Sequence, residues 1–191
     1  MKVGVIIGSI RKGRTAEKVA TWLRENIGER EGFEYEFIDL ADFELPLYDG
    51  AGLPMLMNKQ YDNDEVTRWS QAVDSCDGFI FITPEYNHSV PAALKNAVDT
   101  LGPEWVGKPI AFVGYGSLGA VRAIEHWRQI ASNFHMHDVR EQLGFIQAME
   151  MRDGFNPMPH RATELAALCD RLEEYAGKSV SYTHLRAHET S

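Results

Sequence analysis

Residues Gly8–Thr15, GSIRKGRT, set two glycines, two hydroxyls and three cations directly after the apolar run VGVII. A turn of this composition between a strand and a helix suits an anion, because backbone N–H groups, cations and the positive end of the helix converge there. The spacing nearly matches the triphosphate loop G-x-x-x-x-G-K-[ST], in which Gly8, Gly13 and Thr15 fit but Arg14 stands where lysine belongs. A triphosphatase needs that lysine on the β/γ-phosphates and a strand-terminal Asp for magnesium. The next buried strand, GFIFIT, instead ends in Thr83 and Pro84. Arginine does not replace a point charge in a tight cradle, and the dinucleotide pattern G-x-G-x-x-G is absent from this turn. What remains is a strand-to-helix turn rich in N–H groups, hydroxyls and cations, which a terminal monophosphate carrying about two negative charges would suit. Ser9 and Thr15 can donate to its oxygens, and Arg11 can bind two of them at once. The ordinary alternative is a solvated basic loop.

The elements that must position this loop alternate regularly. KVGVIIG (2–8), GFIFIT (78–83) and PIAFVGYG (109–116) read as strands apolar on both faces. FEYEFIDL (33–40) reads as a half-exposed strand, and VREQLGFIQ (139–147) as a fifth. Between them lie helical stripes: Ala16, Val19, Ala20, Leu23 and Ile27; Val66, Trp69, Val73 and Cys76; Ile124, Trp127, Ala131 and Phe134; Leu165, Leu168, Leu172 and Tyr175. AALKNAVDTL opens a further helix, and the last helix is expected over about Arg161 to Ala176. This alternation predicts an α/β three-layer sandwich: a parallel five-stranded sheet with helices on both faces, in the flavodoxin-like order 2-1-3-4-5. Ligands bind such sheets at the carboxyl ends of the strands, beside the switch point. GSIRKGRT, PEYNHS and GYGSLG all follow strands at that end. The segment 45–62 is a long loop whose Leu53, Met55, Leu56 and Met57 are too apolar to stand free.

FMN is the common cofactor that ends in a monophosphate. At this point the chain resembles a known family, the NADPH-dependent FMN reductases, which include bacterial quinone, chromate and azo-dye reductases. GSIRKGRTAEKVA resembles the family's phosphate loop, G-S-x-R followed by small hydroxyl residues. PEYNHSVPAALKNAVD nearly completes its second motif, and VGYGSLGAVRAIEHWRQI resembles its third. The similarity runs from Lys2 to about Ala176. One departure is that Lys12 and Arg14 are charged and only Thr15 supplies a late hydroxyl. The resemblance implies FMN as cofactor, NADPH or NADH as hydride donor, and a quinone or similar small molecule as acceptor. It also implies a homodimer or homotetramer.

The residues of the other two loops agree. Pro84 stiffens the strand exit, so that the backbone amides of Glu85, Tyr86 and Asn87 can face the polar edge of a flavin. Asn87 tolerates unusual backbone angles, and Tyr86 suits a place beside the ring or at a subunit contact. The plainer reading is a helix entry with Ser89 as cap and Pro91 in the first turn. In GYGSLG, Gly116 and Gly119 would allow close approach of the ring, and Ser117 could donate to it. His88 and Tyr115 are pocket or packing residues. Hydride passage through a flavin needs little acid–base chemistry from side chains, so no catalytic residue is assigned. A flavodoxin-like electron carrier, with no nicotinamide turnover, is the competing reading, and a cofactor-free binding module on the same fold ranks behind it.

The 191 residues suit one domain, placed at 1–178. The tail 179–191 is expected to be disordered or an added segment. Its His184 and His188 stand at i, i+4 but are read as ordinary, and no metal site is expected. A net charge of -9 argues against nucleic-acid binding. No run approaches a membrane span, and, because the sequence goes straight into a strand-like segment, no secretory signal is expected. The two cysteines, Cys76 and Cys169, have no paired spacing, so a reducing cytoplasm is the expected compartment.

Overall fold

The computed structural model describes residues 1–50 and 52–189, with side chains through residue 178. Five strands, β1 (Lys2–Ile7), β2 (Glu34–Asp39), β3 (Gly78–Pro84), β4 (Pro109–Gly116) and β5 (His137–Ile146), form one sheet in the order β2-β1-β3-β4-β5. Every pairing is parallel, so the order expected from the sequence is the one observed. The reversal of strand order falls between β1 and β3, and both strands end at the same edge, with Ile7 opposite Ile82.

Alternation along β3 divides the core. Phe79 and Phe81 enter one apolar layer with Trp69, Trp105, Phe112 and Trp127, while Ile80 and Ile82 enter the other with Val5, Leu23, Leu143 and Leu172. The first layer is covered by α2 (Asp64–Asp74), α3 (Ala92–Asp99) and α4 (Val121–Asn133). The second is covered by α1 (Ala16–Ile27) and α6 (Arg161–Glu189). α5 (Gln147–Glu150) is a single turn after β5. Three tryptophans, Trp69, Trp105 and Trp127, are buried in the first layer at no more than 1% exposure, each removing a large apolar surface from water at about 25 cal/mol for each Å². Each indole N–H finds an acceptor: Trp69 on the Ala97 carbonyl at 2.8 Å, Trp105 on the Val98 carbonyl at 3.2 Å, Trp127 on the Thr83 hydroxyl at 3.0 Å.

The sequence expectation ended the last helix near Ala176, whereas α6 runs to Glu189. A glycine inside a helix costs about 1 kcal/mol, and Gly177 alone does not stop one. The side chains of the tail histidines, His184 and His188, lie outside the described residues. The long loop contains a 3-10 turn, Pro54–Leu56, and is fastened at several points. The Asn96 side chain bonds the Tyr48 N–H at 2.9 Å and the Pro46 carbonyl at 2.8 Å. Tyr61 donates to the buried Glu104 at 2.8 Å, which also accepts from Ser70 at 2.6 Å and from the Gly102 N–H at 3.0 Å.

Candidate functional site

At the end of β1 the chain turns on Gly8, whose N–H bonds the Ile82 carbonyl at 2.9 Å. A Cβ there would stand 2.5 Å from Leu94 and 2.8 Å from that same carbonyl, so the close approach of β1 and β3 requires glycine. Among the described residues, no backbone N–H from Ile10 to Thr15 has a protein acceptor. Gly13 takes φ +65, which reverses the chain into α1. Thr15 occupies the N-cap position of α1, but its hydroxyl makes no capping bond and is left for an external partner. Arg11 is exposed and its guanidinium lies 5.6 Å from the centre of the Tyr86 ring. The loop thus offers unpartnered N–H groups, one hydroxyl and two exposed cations, Arg11 and Lys12, at a helix N-terminus: a phosphate cradle by its donor set. FMN's terminal phosphate fits this donor set.

Two of the residues chosen from the sequence meet each other: Ser9 is 2% exposed, and its Oγ lies 3.2 Å from the Tyr86 hydroxyl, so it joins the two loops. Tyr86 correspondingly reaches to the phosphate loop, beneath Arg11.

The second loop is a two-residue hairpin. Tyr86 and Ser89 exchange N–H···O bonds of 3.0 Å in both directions, with Asn87 at φ 50 and His88 at φ 67 between them. This is the geometry of a type I′ turn. Its consequence corrects the sequence reading: the Tyr86 N–H is spent inside the turn and cannot face a ring. Pro84 is buried at the end of β3, opposite Tyr115. Ser89 does not cap α3. Pro91 holds the N-cap position in an extended conformation, and the Ser89 Oγ lies 2.9 Å from His126 Nδ1. His88 in the left-handed region costs about 1–2 kcal/mol. Since its side chain is exposed, His88→Gly is expected to stabilise the fold by about 0.5–1 kcal/mol, the relief of strain exceeding the added entropy of the unfolded chain. A urea titration checks this through a higher midpoint at unchanged slope.

The third loop follows β4. Gly116 has φ 154, and a Cβ there would meet nothing closer than 3.9 Å. Gly119 has φ 66 and would place a Cβ 2.9 Å from the backbone of Gly144. Gly116 therefore leaves open space at the loop, whereas Gly119 serves the packing of loop on β5 rather than the approach of a ring. Ser117 is exposed and borders a cavity of about 650 Å³ with Gln147, Ala148, Met151 and Arg152. None of these four residues after β5 was singled out from the sequence, and their segment carries no local motif that could have drawn attention to it. The Glu85 carboxylate ties the second and third loops together. It accepts from the Arg122 N–H at 3.1 Å and from Arg122 Nη1 at 2.8 Å. Glu85 thereby caps α4, whose own N-cap residue, Ala120, is left-handed and has no capping side chain. Tyr115 is 8% exposed, and burial pushes its phenol up to about 12.

Along one edge of the sheet, then, lie a phosphate cradle after β1 and two backbone-rich loops after β3 and β4, at the point where strand order reverses. That arrangement defines a flavodoxin-like nucleotide-binding protein. Residues 1–150 match the NADPH-dependent FMN reductase family, and the chain belongs to that family. It is 40% identical over 136 residues to an NAD(P)H-dependent FMN reductase of Schizosaccharomyces pombe, covering 71% of this chain and 68% of that one. It is 35% identical over 165 residues to a quinone reductase of Pseudomonas putida, covering 80% and 76%. Among solved structures, FerB, a flavoenzyme NAD(P)H:(acceptor) oxidoreductase of Paracoccus denitrificans, superposes with TM-score 0.70 at 25% identity, over 93% of this chain and 98% of that one. FMN and NAD(P)H are the cofactors of the family.

Proposed function

We propose that this chain is an FMN-dependent NAD(P)H oxidoreductase whose acceptor is a quinone or a similar small molecule. The observation that carries the reading is the unpartnered row of N–H groups from Ile10 to Thr15, overhung by Arg11, at the switch point of the sheet. FMN, when bound, would supply the two-electron chemistry between NAD(P)H and the acceptor. The protein's part is to hold and orient. Arg11, Thr15 and the loop amides hold the phosphate; Pro84, Glu85, Tyr86, Asn87 and Ser117 set the two loops beside the ring. Tyr115 is a neutral phenol at physiological pH, as any tyrosine near its ordinary value of about 10 is, and burial pushes it further up, to about 12, so it offers no base. The similarity to a Pseudomonas putida quinone reductase supports the acceptor class.

Leu47, Leu53 and Leu56 are exposed at 81%, 66% and 72%, and Leu53 lines an apolar cavity of about 770 Å³ together with Tyr48, Met55, Val106 and Phe134. This face is read as the seat of a second copy in a homo-oligomer. Cys76 and Cys169 are both buried free thiols, in keeping with a reducing cytoplasm.

FMN titration of the purified protein, followed by anaerobic NADPH, tests the reading. Stoichiometric binding and bleaching of the flavin spectrum are expected. Binding without bleaching by NADPH or NADH would make the chain an electron carrier instead.

A further inference from the structure

Arg14, the residue that spoils the triphosphate motif, does not face the cradle. Its side chain is 8% exposed and makes four hydrogen bonds within the protein. Nε donates to Glu17 Oε1 at 3.0 Å, Nη1 to Asp39 Oδ1 at 2.8 Å and to the Ser9 carbonyl, and Nη2 to Asp39 Oδ2. A guanidinium has five N–H groups, so almost none of its donor capacity is left for a phosphate. Asp39 is equally committed. It is the last residue of β2, lies opposite Ile7 in the sheet, and its Oδ1 also accepts the Ala41 N–H at 2.9 Å.

We propose that the Arg14–Asp39 pair is a strut that sets the shape of the phosphate loop, with Arg14 acting as a positioning residue that never touches the ligand. The proposal rests on the FMN reading. A loop whose N–H groups from Ile10 to Thr15 have no acceptor within the protein cannot hold its shape through its own backbone. Something outside it must do so. Arg14 clasps the loop's beginning at the Ser9 carbonyl, its exit at Glu17 in the first turn of α1, and the rigid sheet at Asp39. The pair is also electrically closed. The dianion meets Arg11 and Lys12 as cations, while the Asp39 charge is cancelled rather than turned against it. Lysine cannot replace arginine here, because one ammonium cannot reproduce a planar fork on carboxylate and carbonyl together.

The test compares FMN with riboflavin, which lacks the phosphate, in equilibrium titrations of Arg14→Ala, Arg14→Lys and Asp39→Asn, with circular dichroism and thermal melting of each. Arg14→Ala and Arg14→Lys are expected to weaken FMN about tenfold, the scale of one lost charge-assisted bond, and to leave riboflavin affinity unchanged. Asp39→Asn separates strut from ligand. If Arg14 contacted the phosphate, freeing it would leave FMN binding equal or tighter, whereas a strut predicts weaker binding. Asp39→Asn is near-isosteric and carries the test should Arg14→Ala fail to fold. Unchanged FMN affinity in Arg14→Ala, equal losses for FMN and riboflavin, or unchanged or tighter FMN binding by Asp39→Asn would each overturn the strut. A wild-type chain that binds no FMN would overturn the FMN reading and the strut with it.

Discussion

Arg11→Ala raises the FMN dissociation constant by about ten- to a hundredfold and leaves the melting temperature in place. The expected loss follows from a charge-assisted, two-point contact to a phosphate, worth about 1.5–3 kcal/mol, at a residue that gives the apoprotein almost nothing. Arg11 is exposed, and its guanidinium packs against the face of Tyr86 at 5.6 Å, worth at most about 0.5–1 kcal/mol at an exposed site. Riboflavin affinity should not change, and Arg11→Lys should fall between, keeping charge but losing the fork. Salt should erode the difference between wild type and variant, since an exposed cation is screened over about 8–10 Å at physiological ionic strength. Flavin fluorescence titrations at two salt concentrations measure all of this. Unchanged FMN affinity would move the phosphate off this loop.

Arg11 and Arg14 stand three residues apart and have opposite fates, and that contrast marks how far the sequence could be read. The sheet order was legible because β1, β3 and β4 are apolar on both faces and the helical stripes fall between them. The phosphate loop was legible because its residue types are local to one turn. Partnership across the fold was not. Asp39 lies 25 residues from Arg14 and Arg122 lies 37 from Glu85, and no local pattern announces either pair. The turn at Asn87 shows both cases at once. Asparagine advertised a left-handed position, but its neighbour His88, also left-handed, did not, because histidine gives no such signal strongly. Ser89 looked like a helix cap by type and spacing, yet the hairpin turns it toward His126. Local chemistry proposes a partner, and tertiary geometry can supply a different one.

The largest loss of stability is expected outside the phosphate loop, at Arg161. Glu150 is fully buried and the Arg161 side chain is 9% exposed. Nε and Nη2 of Arg161 donate to the two carboxylate oxygens at 2.9 and 3.0 Å, and Nη2 also reaches the Gly144 carbonyl at 2.6 Å. The N–H groups of Ile146 and Met158 complete the carboxylate's shell at 2.7 and 3.0 Å. Burial alone would push the Glu150 carboxyl upward, but the Arg161 bonds and these two N–H groups outweigh it and hold the carboxyl below the usual carboxylate range. A carboxyl depressed in the folded state contributes its stability above its unfolded value, near about 4.3. That stability is lost as pH falls through the lower folded value. Arg161→Ala strips the countercharge from a buried anion and should cost about 3–5 kcal/mol near neutral pH. The carboxyl then rises above its unfolded value, so Glu150 protonates on mild acidification and the penalty shrinks. Denaturant melts of wild type and Arg161→Ala at neutral pH and near pH 4 should therefore converge toward the acid end. A difference that stayed constant with pH would show that lost packing, not the unpaired Glu150 charge, is what the variant suffers. Adding Glu150→Gln to Arg161→Ala should recover part of the loss at neutral pH, since a neutral amide in the same shell has no charge to leave stranded.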